Sequence, residues 1–167
     1  MSYNIRILNA NREPVAILEN AYAIGYERTF NGLWNAGFSL PLDDPKNDLC
    51  QPFNLVELTD IDGEYIGLFR IVPTKTRRLA TINEVNYELE HVLATLLNDV
   101  LFLYHQRTNY TTRQNIEYVL SHQKTKHWQL GDCEFTRYFH YKWENENGLL
   151  GPLFSITEPF DEPYEWT

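Results

Sequence analysis

The sequence predicts an α+β fold, an antiparallel β-rich domain followed by a small α-helical insertion. Three observations predict it. Run after run before Leu89 alternates apolar and polar residues with a period of two. Clusters that favour reverse turns, Asn31-Gly32 and Asp60-Ile61-Asp62-Gly63, punctuate those runs. From His91 onward Leu93, Leu96, Leu97, Val100, Leu101 and Tyr104 recur at nearly every fourth position, the spacing of a helix face.

Taken in order, Asn4 to Leu8 is a short strand, closed by the turn-forming Asn9 to Pro14, and Val15 to Leu18 returns. Tyr22, Ile24, Tyr26 and Arg28 form the first arm of a long hairpin. The two-residue turn expected at Asn31-Gly32 leads to a second arm with Trp34, Ala36, Phe38 and Leu40 on one face. Pro41 lacks an amide donor, so that arm should end there or turn at an edge. Asp44 reads as the cap, and Pro45 as the first residue, of a single helical turn through Leu49. Strands follow at Leu55 to Thr59 and Tyr65 to Val72. The second is apolar on both faces, which places it in the middle of a sheet or barrel wall. Thr81 to Leu89 puts Val85, Tyr87 and Leu89 on one side.

The leucine-striped segment after His91 predicts about three helical turns. A second helix is expected over Thr112 to Gln123, capped by Thr111 or Thr112 and burying Ile116, Val119 and Leu120. Trp128 and Leu130 then lead into an extended aromatic segment in which Phe135, Arg137, Phe139, Tyr141 and Trp143 share a face. Asn145 to Gly148 is a turn, and Leu149 to Ile156 a strand broken at Pro152. The tail, with Phe160, Tyr164 and Trp166, should pack on something. This reading divides the chain into a β-rich domain (1–89), a helical insertion (90–130) and an aromatic extended segment (131–167) that begins a further β region. The abrupt stop at Thr167 suggests the front part of a longer design.

Composition bounds the chemistry. The chain has 167 residues, enough for one domain with an insertion, and its 43% hydrophobic and 14% aromatic content suits a packed core. No run approaches the roughly 20 apolar residues of a membrane helix, and the first residues lack the pattern of a secretory signal, so synthesis in a cytoplasm is expected. A net charge of −9 opposes binding to phosphate backbones. The one basic cluster, Lys75 to Arg78, reads as a solvated loop or strand end. Cys50 and Cys133 are too few for a disulfide framework or zinc site and read as buried free thiols.

The remaining polar groups fit no known chemistry of a site. His122 and His127 do not match a metal motif. Glu90-His91 reads as a cap or structural pair. Asp43, Asp44, Asn47 and Asp48 lack the alternate ligand spacing of a calcium loop. Ser39, Ser121 and Ser155 lack the context of a nucleophile. No catalytic, metal-binding or cofactor-binding residue is therefore expected, and no cofactor. The Phe135 to Trp143 strand, presenting Tyr141 and Trp143, leaves a carbohydrate-binding or cell-wall-binding module as the alternative.

The segments FNGLWNAGFSLPLDDPKNDL, DGEYIGLFRI, YELEHVLATLLNDVLF and FTRYFHYKWENENGLLGPLFSI resemble, in order and spacing, the N-terminal region of phage tail-associated proteins. These are also called minor structural proteins, tail-associated lysins or prophage endopeptidase tail proteins. The resemblance implies a baseplate hub: a split β-barrel carrying an α-helical insertion, with three copies closing a ring that continues the tail tube. It implies a homotrimer at the virion tail tip that meets the distal tail, tail tube and tape-measure proteins, without membrane insertion or sequence-specific nucleic-acid binding. Any peptidoglycan hydrolase would lie in a C-terminal region after Thr167. The stretches Gly32 to Leu40 and Tyr65 to Val72 are expected as barrel wall, and Arg113, Glu117 and Lys124 as a solvated helix face.

Overall fold

The computed structural model describes residues 3–72, 75–79 and 82–166, with backbone alone for 75–79 and 82. The chain forms two compact units, Met1–Val92 and Leu93–Thr167.

The first unit is a sheet of eight strands: β1 (Asn4–Leu8), β2 (Pro14–Ile17), β3 (Tyr22–Glu27), β4 (Asn35–Pro41), β5 (Leu55–Thr59), β6 (Tyr65–Ile71), β7 (Lys75–Leu79) and β8 (Ile82–His91). All pairs are antiparallel, in the order β2-β1-β5-β6-β8-β4-β3, with β7 paired to β8. The two ends of this path, β2 and β3, are consecutive in the chain, joined by Leu18 to Ala21. An extended chain covers about 3.3–3.6 Å per residue, so that short link brings the two edges close together. The sheet is thus rolled on itself, yet among the described residues no ladder joins β2 to β3. This is a split barrel, and β1, β4, β5, β6 and β8 all send side chains into its core. The interior holds Ile5, Ile7, Phe38, Leu40, Val56, Leu58, Phe69, Ile71, Tyr87 and Leu89.

Both barrel edges are blunted. Strand β2 has four residues and opens with Pro14. The Lys46 ammonium donates to the Ile17 carbonyl on it and pairs with Glu19. In β3 the register shifts between Tyr22 and Gly25, around Ala23 at φ 49°, a bulge that twists an edge out of line for pairing.

The hairpin of β3 and β4 is as expected, but its turn is wider. Pairing ends at Glu27 and Asn35, and the turn runs from Thr29 to Gly32, closed by the Gly32 N–H on the Thr29 carbonyl at 3.1 Å. Asn31 takes the left-handed position at φ 53°. The Arg28 guanidinium lies 4.3 Å from the Trp34 ring centre, and the Trp34 indole N–H donates to the Thr29 carbonyl at 3.2 Å, filling the larger loop. Pro41 does end β4, although β4 lies inside the sheet. The Leu42 N–H points to Asn83 on β8, so the Pro41 nitrogen faces the other side, beyond the last β3 pair at Ser39. After it, Pro45–Leu49 is a single 3-10 turn capped by Asp44, whose carboxylate accepts the Lys46 N–H at 2.8 Å. The basic run Lys75 to Arg78 lies within β7, and the exposure expected for its side chains falls outside the described residues. Thr81, expected to open the next strand, also lies outside them.

The second unit departs from the sequence reading at two places. A 3-10 helix covers only Val92–Asn98, and the expected third helical turn is instead the start of a strand, β9 (Leu101–Thr111). It pairs antiparallel with β10 (Tyr138–Glu146). The residues after Asp99 are rich in aromatic and β-branched types, and the ladder to a partner distant in sequence overrides a leucine spacing that fits a helix equally well. Between the strands lies α1 (Thr112–Ser121), opened as expected by a capping box of Thr111 and Gln114 and burying Ile116, Val119 and Leu120.

The second departure is Leu149 to Ile156, which is not a strand but the helix α2 (Leu150–Ser155). Pro152 sits in its first turn, where the missing N–H would have had no intrahelical acceptor. Leu149, Leu150, Leu153 and Ile156 are buried. The tail packs within its own unit: Phe160 stacks near Phe139 and meets Phe135, Tyr164 meets Phe160, and Trp166 meets Phe154.

Candidate interaction surfaces

The aromatic face suited to sugars is closed at Tyr141 and Trp143, while Phe135 and Phe139 are half-buried and Arg137 is exposed. Tyr141 and Trp143 are 6% and 4% exposed, and their rings stack at 5.7 Å with 8° between planes. The Tyr141 hydroxyl donates to the Ile156 carbonyl at 2.7 Å, and the Trp143 indole N–H to Ser155 Oγ at 3.0 Å. Burial pushes the Tyr141 phenol up to about 12. The strand carries its aromatics toward α2 because period-two alternation fixes which residues share a face, not whether that face meets solvent.

The candidate polar groups serve the fold. Glu90 pairs with Arg70, while His91 lies between the Trp34 and Phe69 rings, and burial lowers its affinity for a proton. Ser39 donates to Asn86 at 2.6 Å, Ser121 to the Tyr118 carbonyl and Ser155 to the Pro152 carbonyl. Asp44 also accepts the Asn20 side-chain amide at 2.8 Å, and that bond together with the Lys46 N–H holds its carboxyl below the usual range. Asn47 donates to the Pro41 and Asp44 carbonyls and accepts from the Tyr87 hydroxyl. Cys50 is buried, which raises its thiol to about 12; Cys133 is half-buried, and both are free. Among the described residues no group of three or more His, Cys, Asp or Glu side chains could hold a metal ion. Arg113 and Glu117 are exposed and face each other at 3.6 Å, and Lys124 is exposed too.

One cluster goes beyond the sequence reading. His105 on β9 and His122 at the end of α1 meet edge to face with ring centres 5.2 Å apart, and both contact Tyr118. Arg107 lies over the Tyr110 and Tyr118 rings. The four-residue step from Tyr118 to His122 on a helix is legible in the sequence, but His105 joins them only through the β9 strand.

Several large apolar side chains stand exposed. In the second unit Leu97, Val100, Phe102, Leu103 and Tyr104 are exposed in near succession. Leu103 is 75% exposed at φ 69°, a left-handed backbone unusual for a bulky residue. Its N–H is held by Asn145 Oδ1 at 3.0 Å, and Asn145 is left-handed as well. In the first unit a shallow groove of about 320 Å3 crosses β3, β4 and β8 where Gly25 stands opposite Gly37, lined also by Ala23, Ser39 and Asn86. Neither surface gathers polar groups around a point where a reaction could be held. Among the described residues no helix is long and apolar enough to cross a membrane.

Comparison with solved structures places this architecture in a class. The fold is that of phage and prophage tail proteins. It superposes on the crystal structure of the tail protein from Neisseria meningitidis MC58 with a TM-score of 0.61 at 9% identity, over 94% of this chain and 45% of that one. The 43 kDa tail protein of prophage MuSo2 from Shewanella oneidensis gives 0.58 at 12% identity, over 94% and 49%. The chain therefore spans about half the length of the solved structures it matches. More particularly, residues 101–167 match the family described as the prophage endopeptidase tail domain. No curated protein matches the chain. The resemblance to phage tail-associated proteins seen in the sequence is thus met by a family match over residues 101–167 and by the fold.

Proposed function

We propose that the chain is the N-terminal part of a baseplate hub at the tip of a phage or prophage tail. It continues the tail tube and anchors downstream parts that cut or bind the cell wall. The observation that carries this reading is that nearly the whole chain, the split barrel of the first unit included, superposes on solved tail proteins. The chain works by fitting against other proteins: three copies form a ring, and the distal tail, tube and tape-measure proteins meet it. It carries no catalysis of its own. In such a ring the net charge of −9 would keep DNA from adhering as it passes.

Antibody raised against the chain, applied to particles released from the induced host, should decorate the distal end of the tail. Decoration of the head, or of no particle, would remove the hub reading. Peptidoglycan cleavage by the chain alone would remove the non-enzymatic one.

A further inference from the structure

The sequence contains two Asn-Gly steps, Asn31-Gly32 and Asn147-Gly148, and the fold treats them differently. An asparagine followed by glycine can lose its side-chain amide without any enzyme. The glycine nitrogen, giving up its proton, attacks Cγ of the asparagine; a C–N bond forms and the amide nitrogen leaves as ammonia. Water then opens the resulting succinimide at one carbonyl or the other, giving aspartate or isoaspartate. The reaction needs only water, and a glycine nitrogen tied into a hydrogen bond is slow to enter it.

Gly32 is tied. Its N–H closes the turn onto the Thr29 carbonyl at 3.1 Å, the half-buried Asn31 is fixed within that turn, and a Cβ at Gly32 would stand 2.7 Å from Thr29 Cγ2. Asn147, by contrast, is exposed in the bend between β10 and α2, and Gly148 has φ 116°. Gly148 is packed on the side where a Cβ would stand, 3.3 Å from Leu97 Cα. Its N–H has no acceptor among the described residues. Gly148 itself is buried, and the exposed Asn147 stands directly before this untied nitrogen.

We infer that Asn147 is the site at which the folded chain deamidates, and that Asn31 is spared. Isoaspartate there lengthens the main chain by one carbon just before Gly148, which packs on Leu97, and Leu149, whose N–H donates to the Leu96 carbonyl at 2.8 Å. Both contacts shift, and a new carboxylate stands beside Glu146. The segment that carries the exposed Leu97 and Val100 is loosened with them.

The test is a time course of the full chain in mildly alkaline buffer, read by peptide mapping with mass spectrometry, folded and in urea. In the folded chain Asn147 should convert several-fold faster than Asn31; in urea, where both steps are free, the two rates should converge. The Asn147→Gln variant should hold its amide and keep the starting melting curve while the parent's falls as conversion proceeds. Equal rates in the folded chain, Asn31 converting first, or conversion in urea alone would overturn the inference.

Discussion

Whether Tyr141 and Trp143 form core or a binding face can be decided by stability. In the structure the Tyr141 hydroxyl satisfies the carbonyl of Ile156, a residue with no exposed surface. Changing Tyr141 to phenylalanine keeps the ring and the stack on Trp143 but leaves that carbonyl without its donor, at a cost of about 1–3 kcal/mol. Changing Trp143 to alanine removes a large buried ring, its stacking partner and the bond to Ser155, and large-to-small changes of this kind cost about 3–5 kcal/mol. Urea unfolding followed by near-ultraviolet circular dichroism and tryptophan fluorescence reads both. Of the four tryptophans, Trp34 reports the first unit and Trp128, Trp143 and Trp166 the second, so the loss should appear in the second unit's transition. If both variants stay within about 0.5 kcal/mol of the parent, as surface changes do, the face is open and the reasoning fails. Loss of glycan binding with stability intact would restore the sugar-binding alternative.

Four further outcomes are expected. Asp44→Ala should cost about 1–2 kcal/mol by removing the cap of the Pro45–Leu49 turn, measured by urea unfolding. Because the folded Asp44 carboxyl is held below its unfolded range, its contribution is present at neutral pH and lost as pH falls through the folded value, so the parent's acid limb should flatten in the variant. His91 has the opposite chemistry but the same direction: burial keeps it neutral, so acidification below the ordinary imidazole range near 6.5 should destabilise the first unit, and His91→Leu should weaken that slope in melts between neutral and acid pH. A thiol reagent should label Cys133 first and reach Cys50 only on unfolding, since burial suppresses its thiolate; equal labelling rates would contradict the burial. Leu103→Gly should leave stability unchanged or raise it by up to about 1 kcal/mol, because it relieves a left-handed leucine whose side chain is mostly exposed; a clear loss would mean that the side chain packs.

The barrel was largely legible in the sequence. Asp44, Pro45 and the Asn-Gly, Asp-Gly and Pro41 signals act through bonds within a few residues, and the boundaries of β1 and β5 and the capped turn at Pro45–Leu49 came out where those local rules put them. Thr111 with Gln114 is equally local. The hairpin turn was misplaced because the loop is shaped by Arg28 meeting Trp34, a contact that spacing does not announce.

What neighbours in the chain fix about this protein is therefore most strands of the first unit, its capped turns and its likeness to phage tail proteins, since periodicity and capping are local properties. Only the tertiary structure decided that Leu101 opens a strand rather than extending a helix, that Pro152 starts a helix rather than breaking a strand, and that Tyr141 and Trp143 face inward. In each case two local conformations lie close in energy, and packing against a partner remote in sequence, β10 for β9 and α2 for the aromatic strand, supplies the difference.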